Sequence, residues 1–509
     1  MLKTDFLKGE LWWGGQVGSW QEMPIDETSD FSLNLRLSGK NQTAPLFLSN
    51  KGRVIFSKSV FTVDFKGGSI TLDGEDEINI IEAGNSLKDA YRYACNNLYS
   101  FEENRLDDIY FNAPQYNTWV QMGYMQNEEG VLKYAHSLID NGYKPGIIMI
   151  DEGWQKDYGN WMFNERFPNA EKMVTELHSL GFKVMLWVVP YISTDIPIFR
   201  NMWFKANEHL CRTFDDQPAI DHWWNGYSCS FNLALAGDRE VLGGQLKNLM
   251  ENYGIDGFKF DGGNISSYRL KAVNGQRKPK YMPETLNMAW NDFGHGYKYL
   301  EFKDTFNRMG KSVPQRINDT KHQWKDNGID KLIPSGLMQN LLGYPYNCPD
   351  MIGGGCINAI GENIFTYDGE LFVRTAQLSA FFPIMQFSAA PFEVLEKEYS
   401  DLVLAAADLH IKLSDYIIKL VDKASKTSEP IMQHMEYAYP NKGYERITSQ
   451  FMLGEDLLVA PVTEKGQTVK RVVLPDGKWK SPDGEIFAGG KEIDYPAPLN
   501  VVPYFERIK

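Results

Sequence analysis

The chain predicts an α/β protein, a TIM-type (β/α)8 barrel with an N-terminal β-sandwich and one or two C-terminal β domains. Three observations carry that prediction. From about residue 110, strand-like and helix-like stretches alternate every 30 to 60 residues or so, the rhythm of βαβ units. Four of the strand-like stretches finish on an acid: PGIIMID on Asp151, GFKFD on Asp261, VPQRIND on Asp319 and YPYNCPD on Asp350. Strands laid side by side in a barrel would gather those acids on one rim, where barrel proteins hold their chemistry. On either side of this region the pattern turns to short alternating strands separated by Asn, Gly and Lys turns.

Residues 1–100 are expected to form the N-terminal unit. SLNLRLSG, PLFLSN, RVIFSKSVFTVDF and SITLDG are its strands, and NSLKDAYRYACNNLYSF is a linking helix. The barrel is expected over 101–425. QYNTWVQM, PGIIMID, FKVMLWVVP, GFKFD, VPQRIND, YPYNCPD and IMQFS are its strand candidates. Helices are expected on EEGVLKYAHSLIDNGY, on NAEKMVTELHSLG with Gly181 as its stop, on DREVLGGQLKNLMENYG and around 296–309. IDKLIPSGLMQNLLG leads into YPYNCPD, and LFVRTAQLSAFFP into IMQFS. After the amphipathic LVLAAADLHIKLSDYIIKLVDKAS, the segments QFMLGEDLLVAPV, KRVVLPDGKWKSPDG and EIFAGGKEIDYPAPLNVVPYFER form C-terminal β structure over 426–509. No GxGxxG or GxxxxGK follows a strand, which removes the usual nucleotide-binding versions of an α/β fold.

With 509 residues the chain exceeds one compact core. Its formal charge of −14 and the lack of a basic run argue against nucleic acid or an anionic membrane as partner, and disfavour a strongly anionic substrate. Five cysteines without CxxC or CxxH spacing read as free thiols, and eight scattered histidines include no HExxH. Neither a metal nor an organic cofactor is expected. The N-terminus lacks the apolar core of a signal peptide and no stretch is apolar enough to span a bilayer, so a cytoplasmic protein is the expectation, or a periplasmic or secreted one if a leader has been removed.

A set of carboxylates with no matching metal-ligand cluster points to acid/base and nucleophilic work on a neutral polar substrate. Asp261 stands out, because an acid straight after Phe258, Lys259 and Phe260 marks where a strand emerges, and Gly262 and Gly263 leave room for an approach. A turn or helix-capping Asp would look the same. Lys259, two residues earlier, shares its side of the strand and would keep Asp261 ionised. Asp319 lies in a polar stretch with Arg316, His322 and Trp324, which suits either catalysis or an ordinary loop. Arg316 would hold a sugar hydroxyl, pair with the nucleophile or form a structural salt bridge. Asp151 is followed by Glu152 and Trp154, and an acid beside an indole suits a sugar with hydroxyls and an apolar C–H face. Trp224 and Asn225, in WWNG, sit on a loop that binds or packs under the barrel mouth. Trp187 reads as core or contact, and Asp350 as substrate-facing or as a brace of the rim.

These pieces together resemble glycoside hydrolase family 31 from about residue 110 to 500. The family's GIDG-x-x-x-D segment, which carries its nucleophile, falls on Asp261. A G-D-N-x5-W-x-D-L segment, followed by I-P-G-x-L-x-x-N-L-x-G-x-P and an acid–glycine turn, corresponds to NDTKHQWKDNGIDKLIPSGLMQNLLGYPYNCPDMIGG. The step from Asp319 to Trp324 is kept, so the resemblance makes Asp319 the general acid/base. The family's glucosidases usually have Trp two residues before the nucleophile and acids after it, where this chain has Lys259 and Gly262, Gly263 and Asn264. After FFP they carry Arg and His, where this chain has Gln386 and Ser388. Both departures are similar to the branch with the animal myogenesis-regulating glycosidase and bacterial α-galactosidases. The resemblance thus implies a retaining, exo-acting α-glycosidase, an α-galactosidase first, with no cofactor. An α-glucosidase or α-xylosidase is the near alternative and a non-catalytic sugar-binding relative the remote one. Asp151, Trp224, Asn225 and Arg316 would line the subsite of the terminal sugar. A homo-oligomer remains open.

Overall fold

The computed structural model describes every residue except 40, 100, 101, 103, 206, 207, 269–279, 357–366 and 509. Its centre is a ring of parallel strands. In sheet order these are Gln115–Asn117, Ile147–Ile150, Lys183–Val188, Gly257–Phe260, Tyr299–Phe302, Gln315–Arg316, Asn347–Cys348, Met351–Ile352 and Gln386–Phe387. Asn347–Cys348 pairs with the sixth strand, while Met351–Ile352 pairs with the strand Gln386–Phe387, which in turn pairs with the first. Only Pro349 and Asp350 separate the two pieces, so they act as one broken seventh stave and the ring closes as an eight-stave (β/α)8 barrel. Proline has no N–H for the ladder, and Asp350 sits in the left-handed region at φ 78°, which together account for the break.

The staves are apolar because both faces are covered: all four residues of Ile147–Ile150 are buried. Between them run helices with legible ends. Asn127 caps Glu128–Asp140 by accepting from the Gly130 N–H at 2.8 Å. Gly254 stops Ala236–Tyr253 in a left-handed conformation at φ 74°. The 31-residue helix Lys397–Thr427 packs a stripe of Val403, Ala406, Ala407, His410, Ile417, Val421 and Ala424 inward.

Two expectations are corrected here. QYNTWVQM is a strand only over Gln115–Asn117, and Trp119–Met122 turns into a short helix. The stretch around 296–309 is not helical. The helix is Pro283–His295, and Tyr299–Phe302 is the fifth barrel strand. Tyr299, Leu300 and Phe302 are all buried, and the period-two demand of a barrel stave overrides the helical run that precedes it.

The N-terminal part is a sandwich of two four-stranded antiparallel sheets. One has the order Leu2–Asp5, Ser69–Gly74, Phe61–Lys66, Phe31–Asn34, and the other Trp12–Gln16, Thr43–Ser49, Arg53–Ser57, Ile78–Glu82. Trp12, Phe47, Ile55, Phe61, Val63 and Phe65 fill the space between them. The C-terminal part is a six-stranded sheet and a two-stranded ribbon around Met452, Leu458, Val472, Trp479 and Phe505. Among the described residues no helix is long and apolar enough to cross a membrane.

At Gly257 a side chain has no room: a Cβ there would lie 1.9 Å from the Tyr299 carbonyl oxygen of the neighbouring stave. Gly257→Ala is expected to force the fourth and fifth staves apart and lower stability by about 3 kcal/mol or more, read as a drop in the denaturation midpoint. An unchanged midpoint would contradict that register.

Candidate active site

All four acids predicted from the sequence sit at the C-terminal ends of staves. Asp151 follows the second, Asp261 the fourth and Asp319 the sixth, while Asp350 occupies the break in the seventh. The fifth stave adds Lys303 and Asp304, which the misread strand concealed. A cavity of about 790 Å³ opens on this rim, and Asp151, Glu152, Trp187, Trp224, Lys259, Asp261, Lys303, Arg316 and Asp319 all line it.

Asp261 is held from every side. Its backbone N–H donates to the Val188 carbonyl at 2.9 Å. Its Oδ2 accepts from the Trp187 indole N–H at 3.1 Å, and its Oδ1 from the Gly262 N–H at 2.8 Å. The Lys303 ammonium lies 3.1 Å from Oδ1. Burial by itself favours the neutral acid, but Lys303, then Lys259 and Arg316, outweigh it and hold the carboxyl well below the usual carboxylate range. Lys259 acts from a distance, because its own ion pair is with Asp151 at 2.6 Å. Gly262 and Gly263 are less open than expected. Both have positive φ, and added Cβ atoms would meet the rings of Tyr191 at 2.8 Å and Trp290 at 2.7 Å.

Asp319 faces the same ammonium. Its Oδ1 lies 3.6 Å from the Lys303 nitrogen and 2.9 Å from Arg316 Nη1, while its Oδ2 accepts no hydrogen bond among the described residues. The distances from Lys303 to Asp261 and to Asp319 sum to an upper bound on the spacing of those two oxygens. That bound admits the roughly 5–5.5 Å of retaining carboxylate pairs and also the short end of the roughly 6.5–9.5 Å of inverting ones. Burial would raise the Asp319 pKa, but Lys303 and Arg316 bring it down to about 2. Two cations thus reach this partly exposed carboxyl and favour its charged form in this arrangement.

Other predicted contacts are redistributed. Asp350 is a brace: Arg316 takes its Oδ1, and the Thr320 N–H and hydroxyl donate to Oδ2 at 2.6 and 2.7 Å. Its carboxylate is completely buried and does not line the cavity. Trp154 is wholly buried behind the rim, donating to the Trp187 carbonyl at 2.8 Å and stacking on Trp161. WWNG is the turn of the hairpin Ile220–Trp223/Gly226–Ser230, and while Trp224 folds over the cavity, Asn225 points to solvent outside it. Trp224 is 52% exposed, and its ring lies 6.0 Å from the Lys303 nitrogen. Its indole N–H donates to Glu152 Oε2 at 3.1 Å. Gln386 and Ser388 are buried; Gln386 donates to Glu301 at 2.7 Å, and the Ser388 hydroxyl accepts the Val120 N–H at 2.7 Å.

Fold and rim define a (β/α)8-barrel protein with a carboxylate-lined cavity at the C-terminal face. Residues 114–420 match the profile described as the glycosyl hydrolases family 31 TIM-barrel domain, and residues 428–508 the glycosyl hydrolase family 31 C-terminal domain. The chain belongs to glycosyl hydrolase family 31. It is 32% identical over 408 residues to the myogenesis-regulating glycosidase of Mus musculus, covering 78% of this chain and 56% of that protein. It is 23% identical over 564 aligned positions to a sulfoquinovosidase of Agrobacterium fabrum, covering 98% of this chain and 81% of the relative. A Flavobacterium johnsoniae GH31 dextranase, solved with glucose, superposes with a TM-score of 0.84 at 19% identity over 99% of this chain and 66% of that one.

Burial pushes Glu152 up to about 7, against hydrogen bonds from Tyr158 and Trp224 and with help from Asp151 and Asp261. A folded-state pKa above the unfolded value of about 4.3 means the folded protein binds the extra proton, so this residue costs stability as pH rises through that window. Glu152→Gln cannot ionise. Its melting temperature relative to the parent is expected to be higher at about pH 8 than at about pH 5, and a pH-independent difference would contradict the assignment.

Proposed function

We propose that the protein is a retaining, exo-acting α-glycosidase, and specifically an α-galactosidase. One observation carries the glycosidase reading: Asp261 and Asp319 line one cavity and both approach the same ammonium, which brings them close enough to share one sugar carbon as nucleophile and acid/base. Asp261, kept ionised, attacks the anomeric carbon while Asp319 passes a proton to the leaving oxygen. A water then releases the glycosyl-enzyme, with Asp319 taking the proton back.

Asp319 must be protonated for the first step. The reading therefore requires the entering sugar to draw Lys303 and Arg316 off Asp319 and onto hydroxyls, leaving the charge of Asp261 to push the Asp319 pKa up. Once Asp261 is esterified its charge is gone and the Asp319 pKa falls, the direction a base needs. The barrel closes the cavity floor, so a sugar chain enters end first.

Lys303, Arg316 and Lys259 are each matched by carboxylates, which favours a neutral sugar over a sulfonated one. Galactose is favoured by the departures from the family's glucosidases. Lys259 replaces a Trp, and Gln386 and Ser388, at the positions of the family's Arg and His, turn their polar atoms into the barrel wall. The hydroxyl-reading side is thereby rebuilt.

Nitrophenyl α-galactoside, α-glucoside and α-xyloside should be separated by kcat/KM in that order, and a faster glucoside or xyloside would reassign the sugar. Asp261→Ala should abolish turnover in a folded protein. Asp319→Ala should lose about 10²- to 10⁴-fold on poor leaving groups and far less on good ones, with azide giving the α-glycosyl azide. Full activity in either variant would end the assignment of that residue, and a β-azide product would end retention.

A further inference from the structure

The N-terminal sandwich sends a short tongue into the rim just ahead of its strand Thr43–Ser49. Thr43 donates to the Thr305 carbonyl at 2.8 Å and accepts from the Asn307 N–H at 3.1 Å, adding a parallel bridge to the loop after the fifth stave. Gln42 is completely buried. Its Nε2 donates to the backbone carbonyls of Lys303 at 2.7 Å and Arg316 at 3.0 Å and shares a contact with Gln315 Oε1 at 3.2 Å, while its Oε1 accepts from Gln339 at 2.9 Å. Its own carbonyl accepts the Val17 N–H at 3.0 Å, anchoring it in the sandwich. Asn41 Oδ1 accepts the Asn318 N–H at 2.7 Å, one residue before Asp319. At Gly39 a Cβ would meet Ser266 Oγ at 2.4 Å and Asn264 Nδ2 at 2.8 Å, so the tongue also presses on the loop after the fourth stave.

A buried amide is costly unless every polar atom is used, and here the acceptors are selective. Two of its three acceptors are the carbonyls of Lys303 and Arg316, the two residues whose charges meet Asp319, with Asp261 sharing Lys303. The three loops touched are those carrying Asp261, Lys303 and Asp319. A shift of about 1 Å in either carbonyl would move a cation relative to a buried carboxylate, where effective dielectric screening is weak.

We propose that Asn41 and Gln42 are positioning residues, through which the N-terminal sandwich holds Lys303, Arg316 and Asp319 in their working arrangement. The proposal rests on Asp319 as acid/base. Neither side chain touches substrate; both act through the backbone that carries the charged groups.

The test compares 2,4-dinitrophenyl and methyl α-glycosides of whichever sugar among galactose, glucose and xylose the parent cleaves. Gln42→Leu and Asn41→Ala should each lose about tenfold or more in kcat on the methyl glycoside, less than about threefold on the dinitrophenyl one, and change KM less than about twofold. The pH limb of kcat/KM belonging to Asp319 should move upward by about half a unit or more, because its cations are no longer held on it. Asn41→Asp, which keeps the acceptor oxygen, should recover most of the methyl-glycoside loss of Asn41→Ala. Equal losses on both aglycones with an unmoved limb, no loss at all, or an Asn41→Asp no better than Asn41→Ala would overturn the proposal. If Gln42→Leu does not fold by circular dichroism, the Asn41 pair decides alone. Asp319→Ala run alongside separates the two layers. If it shows no aglycone dependence the acid/base reading fails; if it does and the tongue variants do not, only the tongue proposal fails.

Discussion

One ammonium makes the rim possible. Two carboxylates sharing a single cavity repel, and one of them would ordinarily keep a proton. Lys303 lies within 3.1 Å of Asp261 and 3.6 Å of Asp319, and with Arg316 it lets both carry charge. The pattern extends outward. Lys259 matches Asp151, and Arg316 also meets Asp350 and, at 3.3 Å, Glu301. Buried ion pairs are marginal in isolation because desolvation offsets attraction. Here Lys303 and Arg316 each meet carboxylates from more than one stave, so removing either cation leaves negative charge on the rim uncompensated.

The barrel provides those partners by ordinary means. Parallel staves end at the same level, and residues at or just beyond those ends meet over the axis. The exception is the seventh stave, broken at Pro349 and Asp350. There the chain steps from one neighbour to the other, and the displaced acid turns inward to tie Arg316 to Thr320. A strand defect thus orients the loop that bears Asp319.

Much of this was legible in the sequence because it was local. An acid directly after an apolar run marks a stave's exit, and Asp151, Asp261 and Asp319 all lie on the cavity for that reason. The fifth stave was hidden because the helical pattern of Pro283–His295 runs close to it, although YLEF followed by Lys303 and Asp304 carries the same signal of an apolar run ending in charge. Trp154 misled because an indole near an acid says nothing about which way the ring turns. The protonation of Asp319 could not be read at all, since it depends on Lys303 approaching through the fold. Nor could Gln42, whose partners have no local sequence relation to it.

Gln42 precedes Lys303 by 261 residues. At about 5–20 residues per second of synthesis, the tongue waits on the order of 13–50 seconds before the backbone it grips exists. During that interval the sandwich can assemble most of its core, since Trp12, Phe47 and Phe65 come from the first hundred residues, while Ile265 and Phe306 join it later. The rim therefore matures late, when an amino-terminal module clasps loops made long after it, and nascent chains ending before Lys303 lack both carbonyls that Gln42 grips.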